Sequence, residues 1–169
     1  FELVIVLDKD GAGTPYLFNE VGIGSEISFR GPQGVFTLKQ PIEKDLFMIC
    51  TGTGIAPFRS MVQHIKREHL AHKNIYLIFG CRTRETLLYY TELTALSQSM
   101  EGFTYIPVLS REQWEGRSGY VHPVYEELCS GRQAAHFYIC GWKGMIDEAK
   151  KRILEMGYDK KDIHLEIYG

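Results

Sequence analysis

The stretch from Leu46 to Phe58 most constrains how this chain can fold. Leu46 to Cys50 is a short apolar run that predicts a buried β-strand. Thr51-Gly-Thr-Gly54 predicts a tight turn, and Pro57 stands where a helix can begin. Strand, glycine turn and helix in this order leave main-chain N–H groups free at a helix N-terminus, where they can hold an anion. The stretch therefore indicates a phosphate-bearing ligand, although it lacks the GxGxxG and GK[ST] patterns and an ordinary strand–helix turn also explains it.

From residue 46 onward, apolar strands alternate with helical patterns. Strands are predicted over residues 46–50, 75–80, 103–109, 136–140 and 163–168. A helix is predicted after the glycine turn, with an apolar stripe at Phe58, Met61, Val62 and Ile65. Further helices are predicted over residues 88–96, 121–128 and 145–156. This alternation predicts an α/β fold with a parallel, Rossmann-like five-stranded sheet and helices on both faces. Ligands of such folds gather at the carboxyl ends of the strands.

The first forty residues have a different texture. Residues 1–7, 26–29 and 35–38 each predict a short strand, and Gly31-Pro-Gln-Gly34 is a strong turn signal. Closely spaced strands joined by turns predict antiparallel β-structure, here part of a barrel. We therefore expect one domain over residues 1–40 and a second over 41–169, and we expect the chain to be a fragment because it opens in mid-domain strand.

Composition excludes several classes of function. A net charge of −2 gives no electrostatic case for nucleic acid. No apolar run has the length of a membrane span and no signal-peptide pattern opens the chain, so we expect a cytoplasmic protein. The cysteines at 50, 81, 129 and 140 form no CxxC pair, which predicts buried free thiols rather than a zinc site or an iron–sulfur cluster.

Three side chains after the third strand could bind a phosphate. Ser110, Arg111 and Arg117 offer a hydroxyl and two guanidinium groups for charge-assisted hydrogen bonds, although two solvated loop arginines are the plainer interpretation. Tyr120 could stack on a flat base or simply pack the loop.

Two further positions fit chemistry at a flat ring. Cys140-Gly141 ends the fourth strand, where a thiol beside a residue without a side chain would allow a ring to approach closely; a core cysteine before a turn is the alternative. Glu166 lies inside an apolar strand and must face water or a partner. The histidines show no set of partners, and none is assigned a catalytic role.

Six motifs in order resemble the ferredoxin–NADP reductase superfamily, flavin-dependent enzymes that exchange electrons with a nicotinamide nucleotide. They are Gly31-Pro-Gln-Gly-Val-Phe36, Thr51-Gly-Thr-Gly-Ile-Ala-Pro57, Phe79-Gly-Cys-Arg82 with Leu88-Tyr-Tyr-Thr-Glu-Leu93, Leu109-Ser-Arg-Glu112 with Trp114, Gly116 and Gly119-Tyr-Val121, Tyr138-Ile-Cys-Gly141 with Met145, and Glu166-Ile-Tyr168. Together they cover nearly the whole chain.

The resemblance implies a role for each matching residue. Residues implied to hold the nicotinamide nucleotide are Thr51, Gly52, Thr53, Gly54, Ser110, Arg111, Arg117, Tyr120, Gly141 and Met145. Within that set, the glycine turn would bind the pyrophosphate. Ser110, Arg111 and Arg117 would bind the adenosine 2′-phosphate, and Tyr120 would cover the adenine. Cys140 and Glu166 would lie beside the reacting rings as catalytic residues. Residues implied to touch FAD are Gly11, Gly13, Thr14 and Tyr168.

The implied reaction is hydride transfer from NAD(P)H to FAD, followed by electron transfer to a ferredoxin-, flavodoxin- or oxygenase-type acceptor. Ser110, Arg111 and Arg117 favour NADPH over NADH, whereas the neighbouring Glu112 counts against it. The family's Arg-x-Tyr-Ser/Thr run, which grips the flavin ring, is absent from the chain. The alternative is therefore a nucleotide-binding or electron-transfer subunit without a flavin of its own. A plain α/β domain would leave six ordered motifs as coincidence.

Overall fold

The computed structural model describes residues 1–31 and 33–168, and the chain divides into two compact units. The first unit is Phe1–Thr37, and the second begins at Leu38. Helix α1 (Gly13–Asn19) belongs to the first unit. The elements of the second unit are β1 (Asp45–Thr51), α2 (Ile55–Arg67), β2 (Ile75–Cys81), α3 (Tyr90–Ser99), β3 (Phe103–Leu109), β4 (Arg117–Ser118), α4 (His122–Leu128), β5 (Ala135–Gly141), α5 (Lys143–Glu155) and β6 (Ile163–Ile167).

The second unit is built on a six-stranded sheet in the order β4-β3-β2-β1-β5-β6, in which every neighbouring pair is parallel. The predicted α/β class and parallel sheet are confirmed, and each of the five predicted strands agrees with the structure to within one residue at either end. The sixth strand, β4, is too short at two residues to give a sequence pattern. The chain runs outward from β1 to β4 and returns for β5 on the other side of β1, so the direction of winding switches between β1 and β5.

Apolar side chains explain why these segments form. The predicted stripe of α2 is buried at Phe58, Met61, Val62 and Ile65. A core on one side of the sheet joins Phe47, Ile49, Phe137 and Ile139 to residues of α4 and α5. Fully burying a side chain of this size stabilises a fold by about 1.5–3 kcal/mol.

The strands predicted for the first forty residues were wrong for the part of that region that the structure describes. Residues 1–31 and 33–44 contain no strand, and α1 covers residues that carried no helical prediction. A strand needs a neighbour to satisfy its main-chain hydrogen bonds, and an isolated pair of strands is only marginally stable. Exposed apolar side chains such as Leu3, Val6 and Val35 are consistent with segments that have not paired. The turn predicted at 31–34 includes position 32, which lies outside the described residues.

The described residues give two negative findings. No helix among them is both long and apolar enough to cross a membrane. Nor do three or more His, Cys, Asp or Glu side chains in residues 1–31 and 33–168 come together as metal ligands do.

Candidate functional site

The glycine turn after β1 exposes its main chain at the winding switch. Gly52–Gly54 form one turn of 3₁₀-helix that leads directly into α2. Gly52 has a φ of +54°, a left-handed conformation that glycine adopts without steric cost. It is exposed, and a Cβ atom built on it would meet nothing within 4 Å. Pro57 lies in the first turn of α2, where a missing N–H breaks no helical hydrogen bond. The predicted strand–turn–helix arrangement is therefore present, with open space over the turn.

Two glycines let the ends of β1 and β5 approach closely. Gly54 is buried, and a Cβ atom on it would lie 2.6 Å from the carbonyl carbon of Cys140 and 2.9 Å from the nitrogen of Gly141. Gly141 has a φ of +142°, and its Cβ would lie 2.5 Å from Thr51 Oγ1. The same Oγ1 accepts the main-chain N–H of Trp142 at 3.4 Å. The loops at 51–54 and 140–142 thus form one continuous main-chain surface.

Cys140 and Glu166 lie side by side on neighbouring strands, and their catalytic roles stay predictions. They are register partners in the parallel pair β5–β6, and Tyr168 donates its main-chain N–H to Gly141 O at 3.0 Å. Cys140 is fully buried, and burial raises the pKa of its thiol to about 12. That pKa of about 12 includes a smaller rise caused by the Glu166 carboxylate and an opposing effect of a hydrogen bond with the Tyr168 side chain. The thiol is therefore neutral at physiological pH and unsuited to nucleophilic attack.

A second thiol, which the sequence analysis did not single out, lies near the glycine turn. Cys81 ends β2, is partly exposed, and donates its Sγ–H to Thr86 O at 3.3 Å. Burial raises the pKa of this thiol to about 11, and hydrogen bonds with Thr86 and with the Gly52 main chain oppose that rise. The rule that ligands gather at carboxyl ends of strands is the signal that could have identified it.

The loops after β2 and β3 are joined by main-chain contacts. Ser110 donates both its N–H and its Oγ–H to Cys81 O, at 2.9 and 3.2 Å. Arg111 donates its N–H to Arg82 O at 2.9 Å. Both arginine side chains are exposed, and no salt bridge engages either of them within residues 1–31 and 33–168. Arg82 was not predicted as a site residue, although it also follows a strand's carboxyl end.

Arg117 lies at the same edge of the sheet, but its guanidinium is paired with an acidic side chain of α4. In β4 it is the register partner of Val108, next to the loop that carries Ser110. Its two terminal nitrogens, however, donate to the Glu127 carboxylate of α4 at 2.6 and 2.9 Å. These hydrogen bonds raise the pKa of Arg117 and lower that of Glu127. Tyr120, three residues further along the chain, is 74% exposed.

The acidic residue that counted against NADPH is already engaged. Glu112 Oε2 accepts the main-chain N–H of Arg84 at 2.8 Å. Its carboxylate therefore bridges the loops after β2 and β3.

The remaining predicted contacts involve Met145, three residues of the first unit and Tyr168. Met145 is buried in the core formed with α4 and α5, so its role as a nucleotide contact stays a prediction. In the first unit, Thr14 Oγ1 accepts the N–H of Asp8 at 2.9 Å and donates to its carbonyl oxygen at 3.1 Å. Gly11 donates its N–H to the same carbonyl, and a Cβ on Gly13 would meet nothing within 4 Å. Their flavin contacts, like that of Tyr168, stay predictions.

Comparison with known proteins identifies the family. The family described as Oxidoreductase NAD-binding domain matches residues 48–151, the segment that holds both close glycine contacts. Ferredoxin–NADP reductase B of Sorangium cellulosum is 33% identical, and the match covers 99% of this chain and 72% of that protein. The chain belongs to the ferredoxin–NADP reductase family. The family uses FAD and a nicotinamide nucleotide.

Other relatives and solved structures extend the comparison. The anthranilate 1,2-dioxygenase electron transfer component of Acinetobacter baylyi is 29% identical, over 99% of this chain and 49% of that protein. A Neisseria gonorrhoeae ferredoxin NADP⁺ reductase structure with bound FAD and NADP has 27% identity and a TM-score of 0.73, covering 95% of this chain and 71% of that one. The FAD/NAD-binding domain of nitric oxide dioxygenase from Vibrio cholerae has the same fold, with 22% identity and a TM-score of 0.83 over 94% of this chain and 65% of that one. The chain thus spans about half the length of the oxygenase component.

Proposed function

We propose that this chain supplies the nucleotide-binding part of an NAD(P)H-dependent flavin oxidoreductase that passes electrons to a ferredoxin, a flavodoxin or an oxygenase component. The observation that carries the proposal is the close approach of Gly54 and Gly141 at the winding switch, which brings the glycine turn, with open space at Gly52, against the end of β5 at Cys140. The names of its relatives support the same class of electron transfer. The corresponding domains are residues 1–40, as part of an FAD-binding barrel, and 41–169, as the nucleotide domain. We propose a cytoplasmic location, as expected from the sequence.

The residues present fit a nicotinamide dinucleotide. Gly52 leaves space over a turn whose N–H groups start α2, and the positive end of the helix dipole favours a pyrophosphate there. Thr51, Thr53 and Gly54 belong to the same turn and fix its path. At the other end, Arg111 offers an exposed cation and Tyr120 an exposed ring. A dinucleotide bound between these two ends would run along the carboxyl edge of the sheet, across β1, β2 and β3.

Fewer residues of this chain support the proposal that it contacts a flavin. Gly13 and Thr14 offer open space and an ordered loop, and Tyr168 stands beside Cys140. The run that grips the flavin ring is absent from these 169 residues. Because that run is absent, we propose a second candidate function: a nucleotide-binding or electron-transfer subunit that is not catalytic alone.

The protein's contribution to catalysis is position rather than acid–base chemistry. When bound, the two cofactors supply hydride transfer from the nicotinamide to the flavin. Cys140 presents a neutral, desolvated thiol, and Gly141 adds no side chain next to it. Glu166 places a carboxylate next to that thiol from the neighbouring strand. Holding two reactants in contact geometry can supply much of a rate enhancement without any proton transfer.

The nucleotide preference that we propose is NADPH. Arg111 is exposed and engaged only through its main chain in the contacts described above, so its guanidinium is available for a 2′-phosphate. An NADH enzyme places a free acid where the ribose 2′-hydroxyl lies, whereas Glu112 is bound to the Arg84 N–H. Ser110 would have to turn its Oγ–H from Cys81 O to donate to a phosphate, so the NADPH preference rests mainly on Arg111.

The test combines flavin uptake with nucleotide titration. The chain is incubated with FAD, separated from free flavin by gel filtration, and titrated anaerobically with NADPH and with NADH while visible flavin absorbance is followed. Bleaching by NADPH at lower concentration than by NADH supports the oxidoreductase. Nucleotide binding without flavin uptake supports the second candidate. Failure to bind either nucleotide in calorimetry contradicts both.

A further inference from the structure

The ion pair between Arg117 and Glu127 joins β4 to α4. Nη1 donates to Oε2 at 2.6 Å and Nη2 donates to Oε1 at 2.9 Å, so the guanidinium and carboxylate meet in a two-bond fork. Glu127 lies ten residues further along the chain, on α4. The same fork of N–H groups is what a phosphate would use.

The neighbouring arginines differ in how their charge is balanced. Arg84 pairs with Glu115 at 2.9 Å, and Arg117 pairs with Glu127. Arg82 and Arg111 take part in no salt bridge within the described portion of the chain. An anion that reaches this edge therefore meets Arg82 and Arg111, whose charges are not balanced by a salt bridge within the described residues. It also meets Arg117, whose guanidinium already donates to a carboxylate.

We propose that Glu127 is a positioning residue that limits selectivity for a 2′-phosphorylated nucleotide by holding Arg117. The inference rests on the proposed function, because it takes the loop after β3 as the adenosine end of the site. A phosphate must share or displace the carboxylate at Arg117, and the carboxylate also repels the phosphate. The pair is exposed, with 45% and 60% of the two side chains accessible, so Glu127 weakens the phosphate contact rather than abolishing it.

Calorimetric titration of the full chain with adenosine 2′,5′-bisphosphate and with 5′-AMP tests this proposal. Glu127→Gln removes the charge and keeps the shape of the side chain. We expect it to tighten binding of the bisphosphate by about threefold or more and to leave 5′-AMP unchanged. Glu127→Asp keeps the charge and should stay close to wild type.

Glu126→Gln is the matched control. Glu126 is the neighbouring acid on the same helix and pairs instead with Arg152 of α5 at 3.0 Å. The substitution changes the net charge by the same amount, but it should leave the affinity for both probes unchanged. An equal gain in Glu126→Gln would mean that overall charge, not the ion pair, is responsible, and would overturn the inference.

A double variant separates the inference from the proposed function. In an Arg117→Ala background, Glu127→Gln should lose most of its effect on the bisphosphate, because the residue through which it acts is gone. An undiminished effect there, or an equal effect on both probes, would overturn the role of Glu127 while leaving nucleotide binding in place. If neither probe binds the wild-type chain, the proposed function fails and the inference fails with it.

Discussion

Gly54 packs against the main chain of Cys140 so closely that a Cβ atom on it would lie 2.6 Å from the carbonyl carbon. The clashing atoms belong to the backbone of a central strand, so no side-chain rotation could relieve the overlap. Because residue 54 is glycine, the N-terminus of α2 can lie directly against the end of β5. This contact joins the loop proposed for the pyrophosphate to the loop proposed for the nicotinamide.

Gly54→Ala should disturb both stability and binding. Overpacking at a buried position costs about 1–3 kcal/mol, and any relief must move the turn away from β5. We expect a lower free energy of unfolding in urea and weaker binding of NADPH in calorimetry. Gly131→Ala is the control, because the nearest atom to its Cβ is a side-chain oxygen of Gln133 at 3.6 Å. Equal stability and affinity in the two variants would contradict the packing argument.

Arg111→Ala should reduce selectivity for NADPH more than Arg117→Ala does. Arg111 has an exposed guanidinium, whereas that of Arg117 is bound to Glu127. A lost charge-assisted hydrogen bond to a phosphate typically weakens binding by about tenfold. The measurement is the dissociation constant of each variant for NADPH and for NADH. Loss of affinity for both nucleotides by the same factor would exclude a 2′-phosphate contact.

Cys81 should be the first thiol to react in the native chain. It is partly exposed, whereas Cys50, Cys129 and Cys140 are buried. Because its pKa is raised to about 11, its alkylation rate should climb about tenfold per pH unit between roughly pH 7 and 9. Mass spectrometry after brief iodoacetamide treatment identifies the labelled site.

Bound nucleotide should slow this labelling, since the Gly52 main chain hydrogen-bonds to the Cys81 thiol. Cys81→Ser should remove the fast phase, whereas Cys129→Ser should keep it. A fast phase that survives in Cys81→Ser would assign the reactive thiol elsewhere.

His164 should make the fold sensitive to mild acid. Its ring lies 4.4 Å from that of Tyr138, and its Nε2 is 3.4 Å from His136 Nδ1. Burial, followed by nearby Lys39 and His136, lowers the pKa of His164 from 6.5 to about 4, although Asp162 opposes the shift. The unfolded chain therefore binds this proton first, so the stabilising contribution is present above pH 6.5 and is lost as the pH falls toward 4.

Urea unfolding at a series of pH values measures this decline. His164→Gln should make it shallower, whatever its effect on stability at neutral pH. His69→Gln is the control, because His69 is exposed after α2. An unchanged slope in His164→Gln would show that other groups cause the loss of stability.

Local patterns predicted the sheet well and the first unit poorly. Strands such as Phe103–Leu109 are buried by helices within the same unit, so their apolar runs suffice to define them. Residues 1–7 carry an equally apolar run, but a strand there depends on a pairing partner that no local pattern supplies.

Candidate site residues show the same division. The carboxyl-end rule selected the glycine turn, and the family resemblance implied that Cys140 and Glu166 lie near one another. Neither of them indicated that Arg117 binds Glu127, or that Met145 is buried. Those outcomes depend on where side chains from separate elements point, which strand order alone leaves open.

By itself, the sequence determined the parallel sheet, the glycine turn and the family motifs, because burial periodicity and glycine conformation are properties of short segments. Tertiary structure alone decided the two-residue strand β4, the fork between Arg117 and Glu127, and the contact of Gly54 with Cys140. Each of these joins separate elements of the fold at distances of a few ångström. Strand register and helix packing set such distances, and they are fixed only when the whole core assembles.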